Sequence, residues 1–151
     1  MKKILVPVDG SKTSLKAAES AIILAKQFNS EINFITVVKK PNSDKYSIFG
    51  LNVENAFKTN QKEMLKHLID QETKMLNMIV RNIDSEGLKV NKEIVTGKSV
   101  YEEIVKTAKD GNYDLIVMGK RGLSAMDRFF IGSVTQRVLA ESPCPVLIIN
   151  D

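Results

Sequence analysis

The chain has 151 residues, 43% hydrophobic and 26% charged, which suits one domain with a proper core and argues against disorder of the whole. Its net charge of +4 is scattered: Lys62, Glu63 and Lys66 share a helical stretch with Asp70, Glu72 and Lys74, there is no tryptophan, and no basic run alternates with aromatics, so a dedicated nucleic-acid binder is disfavoured. No run nears the ~20 apolar residues of a membrane helix, the opening lysines precede too short an apolar run for a signal peptide, and the single cysteine, Cys144, has no partner in the chain, which together point to the reducing cytoplasm.

The first expected element is a buried strand over residues 3–8, Lys3-Ile4-Leu5-Val6-Pro7-Val8, which stops at the turn Asp9-Gly10-Ser11. A helix is expected over 13–29. The second strand, 31–38, is continuously apolar, as suits a parallel strand covered on both faces. From Lys39 to Asn60, with Pro41, Tyr46, Phe49, Gly50 and Phe57, the connection is long for a compact domain; lid, partner surface and plain loop are all open readings. The clearest periodicity follows. Leu65, Leu68, Ile69, Glu72, Leu76, Ile79 and Ile83 recur at steps of three and four, giving a helix over 60–86 closed by Gly87. The only histidine, His67, lies between core positions and is read as exposed. With one histidine and one cysteine, a His/Cys metal cluster is excluded.

A strand over 91–96, a helix over 99–111, a strand over 114–119, a helix over 133–141 and a final strand over 145–150 complete the alternation βαβαβαβαβ. It implies an open α/β sheet of five parallel strands, with helices on both faces and right-handed crossovers. Neither an internal repeat nor a second domain is visible, so 1–151 reads as a single domain.

Ligands bind such sheets beyond the carboxyl ends of the strands, where strand order reverses. Two strands end in small, turn-forming residues: the first at Asp9-Gly10-Ser11, the fourth at Gly119 to Gly122. The order 3-2-1-4-5 makes those strands neighbours and sets both turns beside one crevice. After Val117-Met118-Gly119-Lys120-Arg121-Gly122 come nine residues and then Gly132-Ser133-Val134-Thr135, a G-x2-G-x9-G-S pattern between a strand and a helix. Glycines there let main chain approach a ligand, and Gly132 is expected to supply that approach or a φ > 0 conformation. The Gly-Ser-x-Thr helix start offers unpaired N–H groups, two hydroxyls and the positive end of a helix dipole, a cradle for phosphate.

Amides of Ser133, Val134 and Thr135 are the expected donors. The hydroxyls of Ser133 and Thr135 also have a plainer role as helix caps, compatible with the first. Lys120, Arg121 and Arg128 either neutralise phosphates or are solvated loop charges. Phe129, Phe130 and Ile131 are expected to anchor the loop to the core. Asp9, the only acid expected in the crevice, either accepts hydrogen bonds from a ligand or closes an Asx turn with Ser11. Pro7 and Val8 are expected to border a base.

This glycine pattern resembles the nucleotide-binding signature of the universal stress protein family, as do the opening Ile4-Leu5-Val6-Pro7-Val8-Asp9-Gly10-Ser11 and the closing Pro145-Val146-Leu147-Ile148-Ile149. The resemblance covers essentially the whole chain and is weakest over 39–60. It implies an ATP-binding regulatory or stress-response module, with AMP and ADP left open as the nucleotide. Asp9 is then set against adenosine, and Val37 meets adenine through its backbone or merely packs in the core. Met118, Gly119, Gly122, Gly132, Ser133, Val134 and Thr135 surround ribose and phosphates. A Mg²⁺ or Mn²⁺ ion is expected to be held mainly by the phosphates and water.

The resemblance also implies a homodimer through the last strand, an apolar edge that needs cover; a further protein partner is expected but not identified. A slow ATPase or phosphotransferase is the alternative, but no residue stands out as an activating base, so a binding module is expected. Other readings fall behind. A Walker loop needs an earlier glycine than Gly10-Ser11-Lys12-Thr13 supplies. A receiver domain wants an acid where Ile94-Val95-Thr96 stands, and a flavin site wants stacking aromatics beside Ser11, Thr13 and Ser14.

Overall fold

Strands and helices alternate along the chain as β1 (Lys3–Pro7), α1 (Lys12–Phe28), β2 (Glu31–Lys39), α2 (Glu54–Asn82), β3 (Val90–Gly97), α3 (Val100–Asp110), β4 (Leu115–Gly119), α4 (Ser133–Glu141) and β5 (Val146–Ile149). The computed structural model describes residues 1–41, 54–123 and 130–150, with 54–57 described by backbone alone. All five strands are parallel, in the order β3-β2-β1-β4-β5. The expected topology is therefore the observed one.

Strand alternation divides the core in two. Ile4, Val6, Ile32, Phe34 and Val117 point to one face and meet Ala17, Ala18, Ala21 and Ala25 of α1 and Leu76 and Ile79 of α2. Leu5, Ile35, Ile116 and Met118 point to the other, against Ile104 and Ala108 of α3 and Val138 of α4. Each fully buried Ile, Leu or Phe contributes about 1.5–3 kcal/mol. The alanine stripe of α1 lets that helix lie close to the sheet: a β-carbon added to Gly119 of β4 would come within 2.8 Å of the Thr13 main-chain carbon.

Local signals fix the helix ends. Ser11 caps α1, its Oγ accepting from Ser14 N at 3.2 Å. Asn29 ends the helix in the left-handed region at φ 50°, a conformation asparagine tolerates. Helix α2 departs from expectation, since it stops at Asn82 and Gly87 does not cap it. Gly87, at φ +78°, instead turns the chain between Ser85 O and Leu88 N, which are joined at 3.0 Å. A β-turn at that position demands the positive φ that the sequence reading assigned to a helix end.

The sheet edges differ from its centre. β3 exposes Asn91, Lys92 and Glu93. Along β5, Pro145 O just before the strand and Ile149 O at its end accept from Ile116 N of β4 and from Lys120 N just beyond it, so Val146 and Ile148 turn their own backbone groups outward. Among the described residues, no helix is long and apolar enough to cross a membrane.

Candidate functional site

A cavity of about 540 Å³ lies at the carboxyl ends of β1, β2 and β4, within the size range of small-ligand pockets. The residues expected to surround base, ribose and phosphates all line it: Pro7, Val8, Asp9, Val37, Met118, Gly119, Gly122, Gly132, Ser133, Val134 and Thr135. Ile35, Val100 and Ile104 enlarge an apolar wall around Val37. The strand order is the cause, because it places the β1 and β4 turns side by side.

At one end stands the N-terminus of α4. Gly132 is its cap residue, with no side-chain hydrogen bond, and the first intrahelical bond runs from Gln136 N to Gly132 O at 2.9 Å. The N–H groups of Ser133, Val134 and Thr135 therefore precede the ladder, and these residues line the cavity. An apolar slot leading to three open amides fits a ligand with a flat apolar part and an anionic tail.

Two expectations about this end need correction. Gly132 has φ −60°, not a positive value, and a β-carbon there would sit 3.4 Å from Arg121 Cα, so its backbone does not require glycine. Thr135 does not use its hydroxyl as a cap: Oγ1 donates to Gly119 O at 3.1 Å, tying α4 to the end of β4. Glycine is sterically required at Gly119, where a β-carbon would come 2.6 Å from Thr13 Oγ1 and 2.8 Å from the Thr13 main-chain carbon. One on Gly122 would come 2.6 Å from Asp9 Oδ2, the tip of a side chain.

Asp9 closes an Asx turn, with Oδ1 accepting from Ser11 N at 3.0 Å. Its second oxygen accepts from Leu123 N at 3.1 Å, so one carboxylate joins the β1–α1 turn to the glycine loop. Thr13 makes a parallel tie, its Oγ1 donating to Arg121 O. Thr13 escaped the sequence reading as part of this site, since its partner lies 108 residues away.

Glu72 was missed for a different reason. It lines the cavity from α2, so Asp9 is not the only acid there. The signal was present, since Glu72 interrupts the apolar stripe between Ile69 and Leu76. Burial raises its carboxyl above the ordinary value, and the charge of Asp9 adds to that rise. Phe130 and Ile131 do not anchor the loop: both border the cavity, and Phe130 is 66% exposed. Arg121 lines the cavity, and Lys120 N donates to Ile149 O at 2.8 Å. His67 is exposed on α2. Asp127, Arg128, Phe129 and residues 42–53 lie outside the described residues.

Known proteins share this fold. Universal stress protein MJ0531 of Methanocaldococcus jannaschii is 36% identical over 150 residues, covering 99% of this chain and 82% of that protein. The solved structure of MJ0577, from the same organism, superposes with a TM-score of 0.80 at 28% identity, over 99% of this chain and 96% of that one. A universal stress protein solved in complex with cAMP superposes with a TM-score of 0.67 at 23% identity, over 99% and 96% of the two chains. The sequence profile described as the universal stress protein family matches residues 1–150. By that match and the relatives' coverage, this chain belongs to the universal stress protein family.

Proposed function

We propose that this protein is an ATP-binding regulatory module whose nucleotide state alters its contacts with a protein partner. One observation carries the reading: three open amides at the start of α4 face a cavity whose opposite wall is apolar. Pro7, Val8, Val37 and Met118 form the slot for the base, while Ser133, Val134 and Thr135 take the phosphates at the positive end of a helix dipole equivalent to roughly half a charge. Gly119, Gly122 and Gly132 let the main chain come close to the ligand. Mg²⁺ or Mn²⁺ travels with the phosphates and neutralises them. The family member solved with cAMP makes adenine nucleotides the class to test first; ATP is favoured over ADP and AMP because a phosphate tail of that length makes fuller use of the helix terminus. The module works in the cytoplasm as a homodimer joined through β5.

Mass spectrometry of ligand released from the purified protein, followed by calorimetry with ATP, ADP and AMP, tests the reading. A Gly132→Val variant keeps a permitted backbone but pushes its side chain toward Arg121 and the glycine loop, so it should stay folded and lose nucleotide affinity. Unchanged ATP affinity in folded Gly132→Val protein would put the site elsewhere.

A further inference from the structure

We infer that Thr13 is a positioning residue of the phosphate cradle: by holding the Arg121 carbonyl it turns the Gly122 N–H toward the start of α4, as a further donor to the anionic tail. This inference rests on the nucleotide reading above.

Thr13 acts from outside the cavity, which it does not line. It is 4% exposed, in the first turn of α1. Its hydroxyl has one proton, and that proton goes to Arg121 O. Ser11 Oγ, 3.4 Å away, can then only donate to it, while accepting from Ser14 N at 3.2 Å. From the cap of α1 to the glycine loop the hydrogen bonds therefore all run one way, and each fixes the next.

Other main-chain groups of the loop are held as well. Gly119 O accepts from Thr135 Oγ1 at 3.1 Å and Lys120 O from Gly132 N at 2.9 Å, while Lys120 N donates to Ile149 O at 2.8 Å. Gly122 N–H is different, for no acceptor among the described residues takes it. A trans peptide is planar, and its C=O and N–H point opposite ways. Because the hydroxyl draws Arg121 O toward α1, the Gly122 N–H is sent away from that helix. It then faces α4: a β-carbon built on Gly132, the cap residue, would lie 3.7 Å from Gly122 N, and both glycines line the cavity. The open amides of Ser133, Val134 and Thr135 follow directly.

Glycine makes the hold necessary. Gly122 takes either sign of φ at little cost, so an unheld Arg121–Gly122 peptide can turn over and present its carbonyl to the phosphates. One orientation donates to an anion and the other repels it. Thr13 selects the first before a ligand arrives, which removes that ordering from the cost of binding.

The test is titration of ATP and adenosine into wild type, Thr13→Val and Thr13→Ser, by calorimetry for ATP and by cavity amide resonances for the weaker adenosine. Circular dichroism confirms each fold. Valine keeps the branched shape and loses the hydroxyl, whereas serine keeps the hydroxyl. Thr13→Val should weaken ATP about tenfold, the size of a hydrogen bond to a charged group, and leave adenosine, which has no phosphate, unchanged. Thr13→Ser should restore most of the ATP affinity. In wild type the Gly122 amide resonance should move with ATP and stay with adenosine. Equal losses of both ligands in Thr13→Val would make Thr13 merely structural and overturn the assignment. No loss, a serine variant as weak as the valine one, or an unmoved Gly122 resonance would overturn it too. Should valine unfold the protein, Thr13→Ala removes the same hydroxyl and is read the same way; unfolding of both would count against the assignment. All these results leave the nucleotide site standing, whereas failure of wild type to bind ATP would overturn the proposed function along with this inference.

Discussion

Gly119→Ala should destabilise the protein whether or not a nucleotide binds. The new β-carbon would fall 2.6 Å from Thr13 Oγ1 and 2.8 Å from both the Thr13 main-chain carbon and its Cβ, where ordinary contact begins near 3.4 Å. Thr13 cannot swing away cheaply, for it lies in the first turn of α1 and its hydroxyl holds Arg121 O. The helix must therefore move several tenths of an ångström off β4. Such overpacking costs about 1–3 kcal/mol, and each kcal/mol lowers Tm by about 2–4 °C in a domain of this size. Gly132→Ser is the matched control. Gly132 has φ −60° and ψ 148°, close to the −68° and 156° of Ser11, a serine already serving as a helix cap. That change should alter stability by no more than about 0.5 kcal/mol, because serine and glycine differ little as caps. Urea unfolding followed by far-ultraviolet circular dichroism, with the slope checked for constancy, measures both. Equal stability of the two variants would refute the argument that α1, and not a ligand, demands glycine at 119.

Glu72→Gln should raise Tm at pH 7 and above, an advantage that fades on acidification. The sign follows from linkage: the native carboxyl is raised above 4.5, so the wild-type penalty is full above the native value and gone below the unfolded one. Ile148→Pro should split the proposed dimer while sparing the fold, since the Ile148 N–H turns away from β4; light scattering at micromolar concentration would show a monomer, and an undisturbed dimer would place the interface elsewhere. Phosphate release from ATP, with Mg²⁺ or Mn²⁺, should run far below the enzyme median of about 10 s⁻¹. Turnover near that rate, lost in Asp9→Asn or Glu72→Gln, would favour an ATPase.

Periodicity made the fold legible because parallel strands buried on both faces, such as Ile32 to Thr36, look unlike an amphipathic helix such as α1. The adjacency of β1 and β4 followed from the two small-residue turns and their shared crevice, and the full strand order from the family resemblance. Composition could not reveal what each small residue does. Gly87 resembled a helix stop because cap and turn want the same positive φ. Gly119, Gly122 and Gly132 looked alike as phosphate-loop glycines, yet the first two answer to Thr13 and Asp9, and the third adopts a conformation open to any residue. The tie made by Thr13 and the place of Glu72 in the cavity wall remained hidden because both depend on how α1 and α2 lie against distant loops. Glu72 was nonetheless detectable in principle, as an acid in an apolar row.

The carboxylate of Asp9, clasping Ser11 N and Leu123 N together, turns one amide proton into a latch gauge. Leu123 N–H can exchange with solvent deuterium only when the glycine loop parts from the β1–α1 turn, so its exchange rate counts openings of the cavity mouth. A ligand that bridges the two arms should slow that exchange, and one that merely fills the apolar slot should leave it alone. Asp9→Asn offers an amide NH₂ in place of one acceptor, setting donor against donor and unfastening the loop. A loss of binding in that variant would then register an open latch, not a missing ligand contact, and the Leu123 resonance would tell the two apart.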